Sequence, residues 1–257
     1  MNLKGINRYL SVGVDANWIR SYIKDRSFEP GNRKTDVMFG FMGDAGLVSK
    51  RKETEFGKKI FSMDLDNEIP WALMLCNLAY TPAFRWFIKN IPFNESYIES
   101  RLDLDMGDDV TEKAKGEFWN GFKVILDTNA LFRNCGMGLV DITAKETKTG
   151  IKKSLNSITR LPWKNPDAKV ILYSLYKFAE KCDGYYQFTL TRLLDHEAES
   201  DGVSPTEIFG LDRETMEKLL RGLSVNYPDF ISADFQLGLD TITLNSEKTS
   251  ADVLELI

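Results

Sequence analysis

The chain has 257 residues, of which 43% are hydrophobic and 28% are charged, and its formal net charge is −5. This composition is globular, allows two or three small domains or one larger one, and excludes a protein that is basic over its whole surface. The charge is uneven, because residues 1–60 carry 12 Lys and Arg against 7 Asp and Glu, whereas the remainder carries 21 against 31. Because the first 60 residues are basic and the rest of the chain is acidic, a nucleic-acid-binding element is expected within the first 60 residues.

The cysteine pattern and the lack of long apolar runs indicate a cytoplasmic location. Cys76, Cys135 and Cys182 lie far apart without a CxxC pair, which suits a reducing cytoplasm better than a disulfide framework or a zinc ribbon. The chain starts without an apolar signal core, and its most apolar run, residues 69–80, is too short to cross a bilayer. We therefore expect a cytoplasmic protein without a membrane partner, and the sequence leaves its oligomeric state open.

Residues 14–25 (VDANWIRSYIKD) form the first predicted helix. Asp15 is placed to cap its amino end, and an apolar stripe that includes Trp18 and Ile19 is expected to be buried. Two interpretations of another face stay open: a solvated surface, or a face that lies in the major groove of DNA. In a groove, Arg and Asn bind base edges, and Ser and Lys bind phosphates. The residues of that face are Asn17, Arg20, Ser21 and Lys24.

A second predicted helix covers residues 36–45, with Asp36 as its cap and Gly46 at its end. A short strand, "GLV", then leads into the basic turn 49–52, and a "T-x-x-G" motif starts a further helix. This order is typical of a winged helix-turn-helix unit with the turn as its wing. Helix 36–45 stands beside the wing, where a recognition helix usually lies, but it is too apolar to face phosphates, so the choice between the two helices stays open. The wing residues expected to contact phosphate are Lys50, Arg51 and Lys52.

Residues 66–133 predict a helical block in which dense Trp and Phe side chains form a packed core, interrupted by three prolines. Residues 143–166 predict a polar, basic connector. The acidic run 103–112 is interpreted as a solvated loop, because a calcium loop counted from its first residue requires Gly at the sixth place and Glu at the twelfth. Those places hold Asp108 and Ala114.

The remaining residues predict a third unit, with helices over residues 167–182, 189–200 and 211–224 and two short strands within 229–245. Ser204 begins a capping box with proline at the first helical position. Helices followed by a hairpin again predict a winged helix. The last helix, however, exposes charges of both signs, so we expect this unit to bind a protein or to support the fold. These charges are Arg213, Glu214, Glu217, Lys218 and Arg221.

The sequence contains no recognisable catalytic constellation. His196 is the only histidine and lies in a polar, acidic stretch, so histidine-based triads elsewhere and HExxH zinc sites are excluded, and we interpret it as a surface residue. No phosphate-binding glycine loop, dinucleotide-binding glycine turn or nucleophile elbow occurs. We expect no catalytic residue, cofactor or metal ion, while an enzyme of an unrecognised kind stays a third alternative.

Several segments carry a family resemblance: "YLSVGVDANWIRSYI", "GLVSKRKETEFGKKIF", "FRWFIKNIPF" and "SPTEIFGLDRETMEKLLRGLS". In this order, and over nearly the whole chain, they resemble the prokaryotic family named domain of unknown function 4007. The resemblance implies winged-helix proteins found beside genes for phosphoadenosine-phosphosulfate-reductase-like proteins and for DNA phosphorothioation or phage defence. The chain lacks the Ser-Gly-Gly-x-Asp-Ser pyrophosphate loop of those reductases, so we do not infer reductase activity.

We therefore predict a mainly α fold with winged-helix-like units at residues 1–65 and 166–257 around a helical middle block at 66–165. Strand should be confined to short hairpins near 47–53 and 229–245. The leading functional hypothesis is a non-enzymatic DNA-binding accessory protein of a DNA-modification or phage-defence system. The rival is an adaptor that binds a sulfur-transfer or phosphoadenosine-phosphosulfate-reductase-like partner through the acidic body or the C-terminal unit.

Overall fold

The computed structural model describes residues 3–147, 150–196, 201–235 and 240–257. About 51% of the chain is helical and 16% is strand, so the mainly α prediction is confirmed. Over these ranges, no helix has both the length and the apolar character that crossing a membrane requires. The helices are α1 (Ala16–Lys24), α2 (Asn32–Asp44), α3 (Glu55–Ser62), α4 (Glu68–Leu78), α5 (Pro82–Asn90), α6 (Leu102–Met106), α7 (Glu112–Asp127), α8 (Ala130–Phe132), α9 (Ala168–Lys181), α10 (Leu190–Leu194), α11 (Pro205–Phe209), α12 (Arg213–Asn226) and α13 (Ser250–Leu254). The strands are β1 (Val48–Ser49), β2 (Lys52–Glu53), β3 (Ser96–Ile98), β4 (Leu139–Thr147), β5 (Gly150–Thr159), β6 (Gln187–Thr189), β7 (Ile231–Asp234) and β8 (Thr241–Leu244).

The N-terminal segment consists of α1, α2, the β1–β2 hairpin and α3. The Asp15 side chain accepts a hydrogen bond from the main-chain N–H of Asn17, which confirms the predicted cap of α1. The predicted start of the second helix is wrong: α2 begins at Asn32 rather than beside Asp36. Gly31 has φ +93°, a conformation that glycine tolerates and that directs the chain into the helix early. Asp36 lies inside the helix and does not cap it.

The β1–β2 hairpin confirms the strand prediction near residues 47–53. Ser49 pairs with Lys52 across a two-residue turn, in which Lys50 and Arg51 have φ values of 50° and 62°. Positive φ at both central positions is the geometry of a tight hairpin turn whose twist matches that of the strands. Because those positions favour Asn and Gly, a basic dipeptide there stores conformational strain.

The predicted aromatic core of the middle block is confirmed. Helix α4 is buried on nearly all sides, as expected for a helix that is apolar all round, and it packs against α9, α8 and α11. Phe87 stacks on Phe122 with ring centroids 4.6 Å apart, and Trp86 meets Phe118 edge to face at 5.1 Å. These rings join α5 to α7.

Two predictions in the middle block are wrong, and so is the expectation that strand is confined to residues 47–53 and 229–245. The basic connector contains most of a long antiparallel hairpin, β4–β5, to which β3 adds a short third strand. Both faces of its outer part are exposed, so the alternation that marks a half-buried strand is missing from the sequence, although β-branched residues favour strand there. The acidic run is not simply a loop, because residues 102–106 form α6. In this helix Asp103 pairs with Lys115, and Asp105 accepts a hydrogen bond from the Tyr97 hydroxyl.

The C-terminal segment runs in the order helix, strand, helix, helix, helix, strand, strand, from α9 to β8. Its sheet has the strand order β6–β8–β7, and all pairs are antiparallel, which confirms the hairpin predicted within 229–245. The helix predicted over 189–200 is shorter, since α10 ends at Leu194 and is preceded by β6; residues 197–200 lie outside the described residues. The Ser204 capping box is present.

Side chains from all parts of the chain meet in one core. Its buried apolar cluster includes residues from α1, α4 and α9 alike. Glu68 at the start of α4 accepts hydrogen bonds from the side chains of Asn134 and Trp163. The main-chain N–H of Trp163 donates to the Phe209 carbonyl at 2.9 Å. The boundaries at residues 65 and 165 stay predictions.

Candidate nucleic-acid interface

The face of α1 that was expected to meet DNA is only partly available. Asn17 and Lys24 are exposed, whereas Ser21 and Arg20 are partly buried. The Arg20 guanidinium donates to the Leu65 carbonyl at 3.1 Å and lies 3.2 Å from Asp66 Oδ1. The expectation that all four side chains are exposed together is therefore wrong, because Arg20 also lies 5.5 Å from the Trp71 ring centroid and joins α1 to the start of α4.

The apolar side of α1 follows the sequence prediction with one exception. Ile19 is buried, at 1% exposure. Trp18 was also expected to be buried, but it remains half-buried at the surface. The Lys34 ammonium lies 5.7 Å from its ring centroid, within the range in which a cation and an aromatic face attract each other. This contact brings the first turn of α2 against α1.

The turn between β1 and β2 presents the three basic residues that the sequence singled out. Lys50, Arg51 and Lys52 are all exposed. The Arg51 guanidinium is 3.0 Å from Asp36 on α2 and 3.7 Å from Glu29. Arg51 therefore holds the turn against α2, and its two neighbours are the residues that remain available to a ligand.

Residues 1–60 contain more Lys and Arg side chains than Asp and Glu side chains to pair with them. Each of the seven carboxylates already has an intramolecular partner. Asp15 caps α1 and Asp25 accepts hydrogen bonds from Ser27. Asp44 pairs with Arg8, Glu53 with Arg26, Glu29 and Asp36 with Arg51, and Glu55 with Lys58.

Five of the exposed cations of this segment form no ion pair with any carboxylate that the structure describes. The pairing of Arg51 with Asp36 and the contact of Lys34 with Trp18 place the β1–β2 turn, the first half of α2 and α1 beside one another. Sequence reasoning missed the two cations on α2, because it placed the start of that helix after them. We call these residues the basic surface: Lys24, Arg33, Lys34, Lys50 and Lys52.

Burial raises the pKa of two groups, Asp44 at the end of α2 and Cys76 in α4. Asp44 accepts hydrogen bonds from the Tyr9 hydroxyl at 2.8 Å and from Arg8, and burial raises the pKa of its carboxyl. Burial also raises the pKa of the Cys76 thiol to about 12, so this thiol is protonated and unreactive near neutral pH.

The C-terminal segment carries mixed charges on its longest surface helix, as expected. On α12, Arg221 pairs with Glu217 at 2.7 Å, and Arg213 donates to the Thr191 hydroxyl at 3.0 Å. His196 is exposed, and its ring lies 3.1 Å from the Thr206 hydroxyl; loss of hydration lowers the pKa of the imidazole. The described ranges contain no group of three or more His, Cys, Asp or Glu side chains arranged to hold a metal ion.

Comparison with protein-family models, with curated proteins and with solved structures found no match for this chain. The likeness to the domain of unknown function 4007 family therefore rests on the quoted segments and stays a prediction. The assignment of a function depends on the charges, contacts and topology of the molecule itself.

Proposed function

We propose that the protein is a non-enzymatic DNA-binding accessory protein that contacts the phosphates of duplex DNA through the basic surface. The observation that carries this proposal is the charge imbalance of the N-terminal segment. All seven of its carboxylates have intramolecular partners, while five exposed cations have no carboxylate partner among the described residues. Exposed, unpaired cations on an acidic protein form a localised positive potential that attracts a polyanion.

Two of these cations lie where they oppose the stability of the fold. Arg33 and Lys34 are in the first turn of α2, which contains no acidic residue. The amino end of a helix carries a partial positive charge, so cations there are unfavourable by some tenths of a kcal/mol. Lys50 likewise adopts a left-handed conformation. Residues that oppose local stability are expected where a ligand requires them.

We also propose that the two ends of the chain are winged-helix-like. The support is strongest for the C-terminal segment, where β6 follows α9, β7 and β8 follow α12, and the three strands form one sheet of order β6–β8–β7. The N-terminal segment has two helices and a two-stranded hairpin but a third helix in place of a third strand. In the C-terminal segment α12 takes the place of a recognition helix, and its paired charges favour a supporting role there.

From the family resemblance we infer that the protein binds DNA as an accessory of a modification or phage-defence system in the cytoplasm. The proposal does not depend on that setting, because phosphate contacts carry no sequence information. It predicts binding to duplex DNA of arbitrary sequence, with an affinity that falls as salt rises.

The test is a salt titration of DNA binding by the parent and by the double variant Lys50→Gln/Lys52→Gln. Binding of a labelled duplex is followed by fluorescence anisotropy between about 50 and 200 mM salt. We expect the slope of log K against log salt to fall by up to about two units, one for each phosphate-binding cation removed. The control is Lys113→Gln/Lys164→Gln, which changes net charge equally at two exposed sites elsewhere. A double variant with the parent's slope, or a parent that binds no duplex, contradicts the proposal.

The rival function, an adaptor for a sulfur-transfer or reductase-like partner, is favoured by one feature. Ile98 and Leu139 are 45% and 57% exposed. They lie on the two outer strands of the β3–β5–β4 sheet, opposite Ser157 and Thr159 of the central strand, so both are on the same face of the sheet. A partner held by apolar contact responds weakly to salt, so the same titration distinguishes the two functions.

A further inference from the structure

The β4–β5 hairpin extends beyond the body of the protein as a two-stranded arm. The pair Ile142–Leu155 is the last at which a side chain is buried, with Leu155 at 6% exposure. Beyond it, the five cross-strand pairs from Thr143–Ser154 to Thr147–Gly150 consist entirely of exposed residues. At about 3.4 Å per residue, these pairs span about 17 Å.

The base of the arm is held by α7. The Trp119 indole N–H donates to the Leu155 carbonyl at 3.1 Å, and the Lys123 ammonium donates to the Lys153 carbonyl at 3.1 Å. Lys153 itself forms an ion pair with Asp127 at 2.6 Å. The arm therefore leaves the body in a fixed direction, although a lone two-stranded hairpin is only marginally stable in water.

One face of the arm carries an uncompensated pair of like charges. Lys145 lies directly opposite Lys152 in the strand register, and neither forms an ion pair with a described carboxylate. Like charges opposite each other destabilise a strand pair. The flanking pair on the same face, Thr143 and Ser154, adds two hydroxyl groups. Lysine and hydroxyl side chains are those that bind phosphate oxygens.

The opposite face carries an exposed apolar side chain near the end of the arm. Ile151 is 70% exposed and pairs with Glu146. An aliphatic side chain this exposed gains free energy when a ligand surface covers it. The thymine methyl groups that line the major groove provide such a surface.

We propose that the β4–β5 arm is a second nucleic-acid-binding element, which lies in a groove of duplex DNA with Lys145 and Lys152 on the phosphates. The major groove is about 12 Å wide and admits a two-stranded ribbon. The exposed length of the arm is sufficient to cross it. This inference shares the ligand class of the proposed function, but it rests on different residues, which are separate in sequence from the basic surface.

The test compares the parent with Lys145→Gln/Lys152→Gln in the full chain, with a labelled random-sequence duplex of about three helical turns as the probe. Removal of two phosphate-binding charges should lower the slope of log K against log salt by about two units. It should also weaken binding about tenfold or more near 0.1 M salt. Lys145→Arg/Lys152→Arg keeps both charges and should retain parental binding. Lys113→Gln/Lys164→Gln controls for net charge, and the unfolding midpoint checks that each variant folds.

The outcomes separate this inference from the proposed function. Loss of binding in the Lys145/Lys152 variant alone supports the arm and contradicts the basic surface. Loss in the Lys50/Lys52 variant alone overturns the arm inference and leaves the proposed function standing, and a parent that binds no duplex overturns both. An arm variant that loses binding only to single-stranded DNA of the same length also overturns the groove inference.

Discussion

Arg160 is a buried cation that joins four parts of the chain. Its guanidinium donates to the carbonyls of Ile88 and Ile91 at the end of α5, of Glu207 and Ile208 in α11, and of Gly136. It also lies 3.8 Å from the Phe93 ring centroid. Carbonyl groups at the ends of helices lack partners within the helix and carry partial negative charge. One planar group with five donors therefore satisfies acceptors that would otherwise be buried without partners.

Replacement of Arg160 should be strongly destabilising. We expect Arg160→Met to lower the free energy of unfolding by at least about 3 kcal/mol, because several buried carbonyls lose their donors at once. Arg160→Lys should be nearly as damaging, since an ammonium has three donors and no planar fork. Urea unfolding measures both, and Arg213→Lys on the surface of α12 is the control. A destabilisation below about 1 kcal/mol would show that solvent or a local shift replaces these hydrogen bonds.

At the scale of elements, helix caps account for much of what the sequence foretold. The predicted caps Asp15 and Ser204 each accept a hydrogen bond from a main-chain N–H in the first turn of the following helix. Asp212, which was not predicted as a cap, does the same for α12. Such caps depend on a residue type next to an amphipathic stretch, so they can be recognised without the rest of the fold. Asp212 is a clear instance, because the Thr215 N–H lies 2.8 Å from its carboxylate.

The Asp212 cap should make stability depend on pH in the acid range. The hydrogen bonds from Thr215 lower the pKa of the Asp212 carboxyl below its usual value. The stabilisation is therefore complete above the unfolded-state pKa of about 3.9 and is lost as the pH falls through the folded-state pKa. We expect Asp212→Ala to cost about 1 kcal/mol at pH 7, measured by urea unfolding, and progressively less towards pH 3. Asp229→Ala, at an exposed position that caps no helix, is the control; an Asp212→Ala cost that stays constant down to pH 3 would contradict the charged-cap explanation.

At the scale of the whole molecule, the N-terminal segment is joined to the body through close main-chain contact. A Cβ atom at Gly121 on α7 would lie 2.5 Å from the Leu10 carbonyl oxygen, so glycine permits the approach. The main-chain N–H of Ala16 donates to the Thr128 hydroxyl at 3.3 Å, and Arg20 reaches Asp66. The basic surface thus belongs to a segment that shares its core with the acidic remainder.

A shared core should make unfolding cooperative. We expect urea transitions followed by tryptophan fluorescence and by far-ultraviolet circular dichroism to coincide, because the apolar cluster includes residues of all three predicted units. Trp18 and Trp119 place fluorescent probes in the N-terminal segment and in the middle, whereas circular dichroism reports all helices. Two separated transitions would instead indicate units that unfold independently.

The sequence by itself determined the helical class, the helix starts capped by Asp15 and Ser204, the aromatic core and the two short hairpins. Each of these depends on local periodicity or on residues within a few positions of one another. It also identified the basic N-terminal segment, because net charge needs no coordinates. It placed Asn17 and Lys24 correctly at the surface, since an amphipathic pattern separates exposed from buried positions.

Only the tertiary structure decided which cations remain available and where the long hairpin lies. Arg20 and Arg51 look equivalent to Lys24 and Lys50 in sequence, but they have carboxylate partners that come from other elements. The arm is a local hairpin, but it lacks the alternation that predicts a strand, because both of its faces are exposed beyond Leu155. Its base is held by β3 and α7, which are distant from it in sequence. Contacts between residues far apart in the chain have no local signature, which is why both features required the fold.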